Sequence, residues 1–359
     1  MNIIEHILYT YYIPTVDKLH SSTIDSCYSH YIKNETTQKF NCINNWSFLN
    51  QNELNKKIVL FNDKDIIHIK NDVFLLKYEV KNIGHTLINI LKQIQLYIDN
   101  KYTCKILIQN ELININKYIL SVINLFINID NIIIIDSSKT YKFDKFIYTN
   151  TFYTTETNNE LIPKINNKIN IHIHDIHIPT TVNVINYDNY FLNYKHTDLD
   201  IMLINKIKTL DFSNNTIKTY ENICLIKTEN YINDSSTNMN KNYSIERSFN
   251  NKYIDYFTEK NYYIVDPSIH NIKELYILLN GAKNIVMSWG CMSFINKMII
   301  DNNNVNYILV SHKGYTHEFN FLSAQMMIPP CKKCFLIYNL NSELDNLSVD
   351  VINNVLDNI

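Results

Sequence analysis

The chain has 359 residues, 46% of them hydrophobic, and a formal net charge of −2. That is enough apolar material for one large core or two ordinary ones, and it excludes an intrinsically disordered chain. A charge near zero, with acids spread between the lysines, excludes a nucleic-acid binder that works through a broad basic surface.

The opening stretch "MNIIEHILYTYYIPTVDK" lacks a basic segment followed by an apolar one, so no secretory signal is read there. No run reaches the ~18 uncharged apolar residues of a membrane helix, and a soluble cytoplasmic protein is expected. Matches to Asn-x-Ser/Thr at Asn34, Asn45 and Asn242 arise by accident in a chain this rich in Asn. Residues 1–55 read as a polar, irregular N-terminal extension, with Trp46 as an anchor onto the body.

From residue 56 a rhythm sets in. "KIVLF" (57–61) and "VFLLKYEV" (73–80) read as strands. "HTLINILKQIQLYIDN" places Leu87, Ile90, Leu91, Ile94 and Tyr97 at helical spacing. "CKILIQN" is a buried strand, "NKYILSVINLFIN" a helix and "NIIIID" a further strand. A polar middle follows. In it, "HIHDIHIP" sets His172 and His174 on one side of a strand, near Asp175 and His177, which fits either a metal site or a plain connecting strand. "DLDIM" (198–202) is the nearest approach to a D-x-D metal–nucleotide motif, and it stands in no convincing place. The expectation is no metal site, with any divalent-ion requirement left open.

The alternation then returns. "NICLIKTE", "NYYIVDP", "KNIVMSWG" and "VNYILVS" read as strands, and "SFNNKYIDYFTEK", "NIKELYILLNGA" and "CMSFINKMII" as helices. Continuous Ile/Val/Leu strands alternating with helices indicate parallel sheets covered on both faces. The expected fold class is therefore α/β, with two Rossmann-like domains facing a cleft, at residues 56–200 and 201–335, and a C-terminal helical tail at 336–359. Ligands in such sheets bind beyond the carboxyl ends of the strands. The seven cysteines are odd in number and scattered, which is no disulfide framework, and the lone "CKKC" (331–334) is a weak zinc or redox signal.

Abundant Asn, Ile, Lys and Tyr beside 4 Gly and 6 Pro point to AT-rich coding, under which the rare residues carry the information. Arg247 is the one arginine among 33 basic residues, and it stands just before a predicted helix. A guanidinium fork grips planar anions in a way an ammonium does not. Gly290 lies between a buried strand and the next helix, where glycine admits a close ligand and the helix start offers N–H groups to an anion, or simply makes a tight turn. Gly281 has the position of a helix C-cap. Gly84 directly precedes His85 at a loop-to-helix transition.

These pieces resemble the family 61 glycosyltransferases over roughly residues 75 to 300. "NIGHTLINIL" is similar to that family's Asn-x-Gly-His-hydrophobic motif, and "ERSFNN" to its Arg-x-x-Asn segment. "NYYIVDPSIHNIKELYILLNGAKNIVMSWG" is similar to the continuation: a strand ending near Asp-Pro, a helix with a Glu, then Ala, a buried strand and Gly. The chain has Trp289-Gly290 where the family usually has His-Gly, Leu275 where a Gln often follows the Glu, and its Asn one residue late, at Asn296.

The resemblance implies a GT-B-like architecture and inverting transfer of a sugar from a nucleotide-sugar donor to a hydroxyl of a glycan or protein acceptor, with no cofactor beyond the co-substrate. It implies a diphosphate clamp at Arg247, whose alternative is an ion pair with Glu246 or Asp255. Asn250 contacts phosphate or ribose, or caps its helix. Glu274 holds ribose hydroxyls, or is a solvated helix residue. Trp289 stacks on base or sugar, or anchors a domain face; Gly290 and Cys291 complete the donor set. His85 is the candidate general base, or a helix-start histidine bonded to backbone. A catalytically inactive GT-B-like binding or assembly protein is the alternative of another class, and a nucleotide-binding enzyme of unrelated chemistry a third.

Overall fold

The computed structural model describes residues 3–7, 10–17, 27–34, 40–42, 66–77, 83–110, 117–136, 139–149, 182–186, 196–213, 216–226, 251–267, 269–288, 296–310 and 329–339. Among these, the backbone alone is described for residues 3–42, 83–85, 117, 182–186, 251–253, 288, 310 and 333–339. The chain divides into two compact units, Met1–Thr154 and Thr155–Ile359. Each contains one mixed sheet with a parallel core, so the protein is α/β.

In the first unit the parallel strands are β5 (Ile66–Leu75), β6 (Lys105–Gln109), β7 (Ile132–Ile135) and β8 (Thr140–Thr149), in the order β8-β5-β6-β7. The 17-residue helix α1 (Ile83–Asp99) joins β5 to β6, and α2 (Lys117–Phe126) leads from β6 towards β7. Val73–Leu75 and Ile106–Ile108 are wholly buried, as expected of strands covered on both faces. On one face Phe74 meets Tyr97 of α1 edge to face at 5.5 Å. Its neighbours Val73 and Leu75 pack instead with Leu107, Ile135, Tyr141, Phe143 and Phe146. Strand β5 starts seven residues earlier than the apolar run suggests, because its exposed first half pairs with β8 across a bulge between Ile69 and Asp72.

The N-terminal residues correct the expectation of an irregular extension. Strands β1 (Ile3–Ile7), β2 (Thr10–Asp17), β3 (Cys27–Asn34) and β4 (Phe40–Cys42) extend the first sheet antiparallel from β8. The reason lies in composition. Segments such as "TYYIPTVD" are rich in β-branched and aromatic residues, which suit a pleated surface even without a continuous apolar run.

The second sheet has the order β11-β10-β12-β13-β14-β9. Five of its strands are parallel: β10 (Asn222–Leu225), β11 (Tyr263–Val265), β12 (Asn284–Ser288), β13 (Asn306–Val310) and β14 (Lys333–Asn339). The sixth, β9 (Val182–Asn186), pairs antiparallel with β14. So a strand from the polar middle, which the sequence reading assigned to a 56–200 domain, lies in the second sheet. Residues 336–339 belong to β14 rather than to a helical tail, since "KCFLIYN" presents strand-forming residues to a partner on each side.

Helix α3 (Asp198–Lys208) lies between β9 and β10 in the chain, α4 (Asn251–Glu259) connects β10 to β11, and α5 (Ile272–Gly281) connects β11 to β12. Register among the parallel strands is fixed in part by an asparagine ladder. Asn284 donates to Asn222 at 2.8 Å, and Asn306 donates to Asn284 at 2.7 Å, each the first residue of its strand. Side-chain amides stacked in register carry hydrogen bonds at right angles to the strands. Gly281 is the last helical residue of α5, and its role is close approach rather than a left-handed cap. A Cβ there would meet Thr219 Cγ2 at 2.6 Å, and the C-cap, Ala282, is extended.

Candidate functional site

In the second sheet the chain order 2-1-3-4-5 puts the topological switch point between β10 and β12, whose connections leave in opposite directions. Their carboxyl ends lie side by side, with Leu225 paired to Met287 on one side and to Val265 of β11 on the other. Helices α4 and α5 each return from this edge to begin the next strand, so their N-terminal turns belong to it. Asp266, the residue after β11, is buried there.

In chain order, the sequence-predicted donor residues fall in segments that flank α4, α5 and β12. Arg247 and Asn250 stand immediately before α4, and Trp289, Gly290 and Cys291 immediately after β12. All five lie outside the described residues, as does the "HIHDIHIP" stretch. Glu274 is described, in the first turn of α5. Its Oε2 accepts from the backbone N–H of Asn271 at 3.1 Å and faces His270 Nδ1 at 3.3 Å, while the Asn271 side chain accepts from Glu274 N–H. This is a capping box, and it holds the α5 start in place. His85, in the first unit, falls in the first turn of α1, which begins at Ile83, so Gly84 is helical rather than part of a tight turn.

The exit from β5 towards His85 is fixed by a residue the sequence reading passed over. Gln93 is buried in α1; it accepts from Lys77 N–H at 3.1 Å and donates to Lys77 C=O at 2.9 Å. It thereby replaces a neighbouring strand for the peptide just beyond β5. The Thr149 hydroxyl at the end of β8 lies 3.5 Å from the same Gln93 oxygen. Since β5 and β8 flank the switch point of the first sheet, Gln93 ties together the strands and helix there.

Among the described residues, a second group of buried charged and polar side chains was not visible in the sequence. Asp200 and Lys297 are buried, 1% and 4% exposed, and Lys297 Nζ lies 2.5 Å from Asp200 Oδ2. The same oxygen accepts from Thr197 N–H at 2.9 Å and stands 3.6 Å from His196 Nδ1. Burial opposes ionisation of Asp200. The His196 ring, the Lys297 ammonium and the Thr197 N–H outweigh it and hold the carboxyl below its ordinary value. Thr197 and Asp200 cap α3 reciprocally, so "HTDLD" opens a helix. Beside Lys297, the Asn296 side chain is fully buried with neither amide atom hydrogen-bonded; the His196 ring nitrogens are buried too, and Nδ1 faces Asp200 Oδ2 within ion-pair reach.

The orientation of α3 follows from its contacts. Asp200 near its start meets Lys297, and Lys208 at its end pairs with Asp301. Residues 296–305 lead into the start of β13, and Lys297 precedes Asp301 there as Asp200 precedes Lys208, so α3 runs alongside them in the same sense. His196 therefore sits at the end of α3 nearer the carboxyl edge of the sheet. A separate groove of about 460 Å³ in the first unit, lined by Lys101, Lys105 and Lys145, opens before the start of β6, and there the Lys105 ammonium bonds Asp130 C=O.

Among the described residues no group of three His, Cys, Asp or Glu side chains is placed to hold a metal ion. Cys104, Cys224 and Cys331 carry free thiols. No described helix is long and apolar enough to cross a membrane. Comparison of the chain with protein-family models and with curated proteins finds no match.

Proposed function

We propose that the protein is an inverting glycosyltransferase of GT-B-like architecture, using a nucleotide-sugar donor and a hydroxyl acceptor on a glycan or protein. The observation that carries this reading is the β10/β12 switch point of the second sheet; in the chain, "ERSFNN" leads into α4 and Trp289-Gly290-Cys291 follows β12. Open α/β sheets bind nucleotides at this kind of edge, where helix N-termini supply N–H groups to phosphate. The resemblance of "NIGHTLINIL", "ERSFNN" and "NYYIVDP…MSWG" to family 61 glycosyltransferases gives that edge its chemistry.

In this reading Arg247 and the α4 N-terminus receive the donor diphosphate, and they stabilise the charge that develops on it as the sugar departs. Asn250 adds a phosphate or ribose contact. Glu274, anchored through Oε2, presents its carboxylate to ribose hydroxyls. Trp289 stacks on the base or sugar beside Gly290 and Cys291. His85 removes the proton of the attacking hydroxyl, which reaches the anomeric carbon from the face opposite the leaving group.

The test is a thermal-shift titration of wild type and Arg247→Lys against nucleotide sugars and free nucleotides. One donor should stabilise the wild type, by about 2.7 kcal/mol at a concentration a hundredfold above its Kd, and should fail to stabilise the lysine variant. Absence of any shift in the wild type refutes the transferase and leaves the inactive GT-B-like binding protein as the reading to pursue.

A further inference from the structure

We infer that the groove before β6 binds a phosphate monoester of a small polyhydroxylated molecule; the site lies in the first unit and stands independently of the transferase reading. The groove encloses about 460 Å³, within the size range of small-molecule pockets. Lys101, Lys105 and Lys145 line it against one carboxylate, Asp72, so ammonium groups outnumber carboxylates by two. The chain as a whole carries a net charge of −2, so the surplus is local. It is also unspent. Lys105 Nζ donates to Asp130 C=O at 2.7 Å and lies 3.3 Å from Asn131 Oδ1. These neutral oxygens hold the ammonium in place, leave its charge uncompensated and leave a third N–H to give. Among the described residues, neither Lys101 nor Lys105 forms an ion pair with a carboxylate.

Lys101 occupies a position that the backbone would give to another residue. Helices α1 and α4 end in the same way. After α1, Lys101 N–H bonds Ile98 C=O at 2.9 Å and Tyr102 N–H bonds Tyr97 C=O at 3.1 Å. After α4, Asn261 N–H bonds Thr258 C=O at 3.0 Å and Tyr262 N–H bonds Phe257 C=O at 2.8 Å. This is the Schellman ending, in which one residue turns left-handed: φ is 54° at Lys101 and 61° at Asn261. Glycine or asparagine is usual there, and α4 uses asparagine. Asparagine is abundant in this chain, yet position 101 carries lysine. A lysine does suit the negative end of the helix dipole, but any position in the last turn serves that purpose without left-handed strain. Position 101 lines the groove.

The lining selects the ligand class. Ammonium groups act as compact point charges and suit a tetrahedral phosphate, whereas a planar carboxylate is matched best by an arginine fork, which the groove lacks. A phosphate monoester carries about −1.5 to −2 charges at neutral pH, which balances the surplus. Asn71, Asp72 and Thr103 add an amide, a carboxylate and a hydroxyl for hydroxyls on the rest of the ligand. The carboxylate repels a ligand that is anionic throughout, so a polyol monoester fits better than a polyphosphate.

The test is calorimetric titration of the full chain at low salt with glucose 6-phosphate, glycerol 3-phosphate, inorganic phosphate and glucose, in wild type and in Lys101→Asn. The variant gives position 101 the residue that α4 already uses, so it should melt no lower than wild type. At least one monoester should bind wild type saturably below ~10 mM, and more tightly than inorganic phosphate or glucose. Lys101→Asn should weaken that binding about tenfold, the loss of one charge-assisted hydrogen bond. Lys145→Gln removes a second charge from the groove and should weaken it to a similar degree. The inference is overturned if neither monoester binds by ~10 mM, or if glucose or inorganic phosphate binds as tightly as the monoesters. It is overturned equally if Lys101→Asn binds as wild type does, for the lysine then serves only the helix dipole.

Discussion

Replacing Lys297 by Met removes one partner of a buried ion pair while nearly keeping side-chain volume. At the 2.5 Å separation observed, and an effective dielectric of about 20, the lost attraction is roughly 6–7 kcal/mol. Desolvation of the two groups costs several kcal/mol each, so the intact pair adds little net stability. The substitution nevertheless leaves Asp200, 1% exposed, with an uncompensated charge, and breaking such a pair costs about 3–5 kcal/mol. That is a large share of a total stability of ~5–15 kcal/mol. The double variant Asp200→Asn/Lys297→Met removes both charges, and a gentler loss of about 1–2 kcal/mol is expected, much of it the capping bond of Asp200. Urea unfolding followed by circular dichroism measures both. A loss below about 1 kcal/mol for Lys297→Met, or a double variant as damaged as the single one, would refute the reasoning.

The same carboxylate sets an acid limit. Because the folded state holds Asp200 below its ordinary value, its contribution is fully present above about pH 4 and is lost as pH falls through the depressed folded value. Wild-type unfolding free energy should drop with pH in that acid window, and Asp200→Asn should show a shallower slope. Gln93→Leu strips both groups of the Lys77 peptide of their partner. A loss of about 2–4 kcal/mol is expected, with faster amide exchange at Lys77 by mass spectrometry. Gly281→Ala drives a methyl to within 2.6 Å of Thr219; a cost of about 1–3 kcal/mol is expected, relieved when Thr219→Ala is added. Burial pushes the Cys224 thiol far up, so iodoacetamide followed by peptide mapping should label the half-buried Cys104 and Cys331 in the native protein and leave Cys224 unmodified.

The α/β class and the positions of most central elements were legible in the sequence, because they rest on short-range pattern. Runs such as "CKILIQN" and "NIVMS" have continuous apolar centres, and "HTLINILKQIQLYIDN" repeats at helical spacing; these patterns need no partner to be read. The strands of residues 3–42 were not legible, because antiparallel edge strands alternate weakly and acquire their identity from the strand they pair with. Strand β9 was hidden for the same reason, since only pairing with β14 distinguishes "VNVIN" from loop.

The site divides along a similar line. Arg247, Gly290 and Trp289 stood out because coding bias made them rare, and in chain order Arg247 precedes α4 while Trp289 and Gly290 follow β12. Asparagine was discounted by the same bias, yet Asn222, Asn284 and Asn306 form a ladder across three strands, and Asn296 is buried without a partner. Nothing local marks His196, Asp200 and Lys297 as a group, for Asp200 and Lys297 are 97 residues apart in sequence. The sequence by itself determined most of the central strands and helices, through hydrophobic period, and singled out a few residues through their rarity. Only the tertiary structure decided which polar groups share a buried volume, because pairing, register and desolvation are properties of residues brought together from distant parts of the chain.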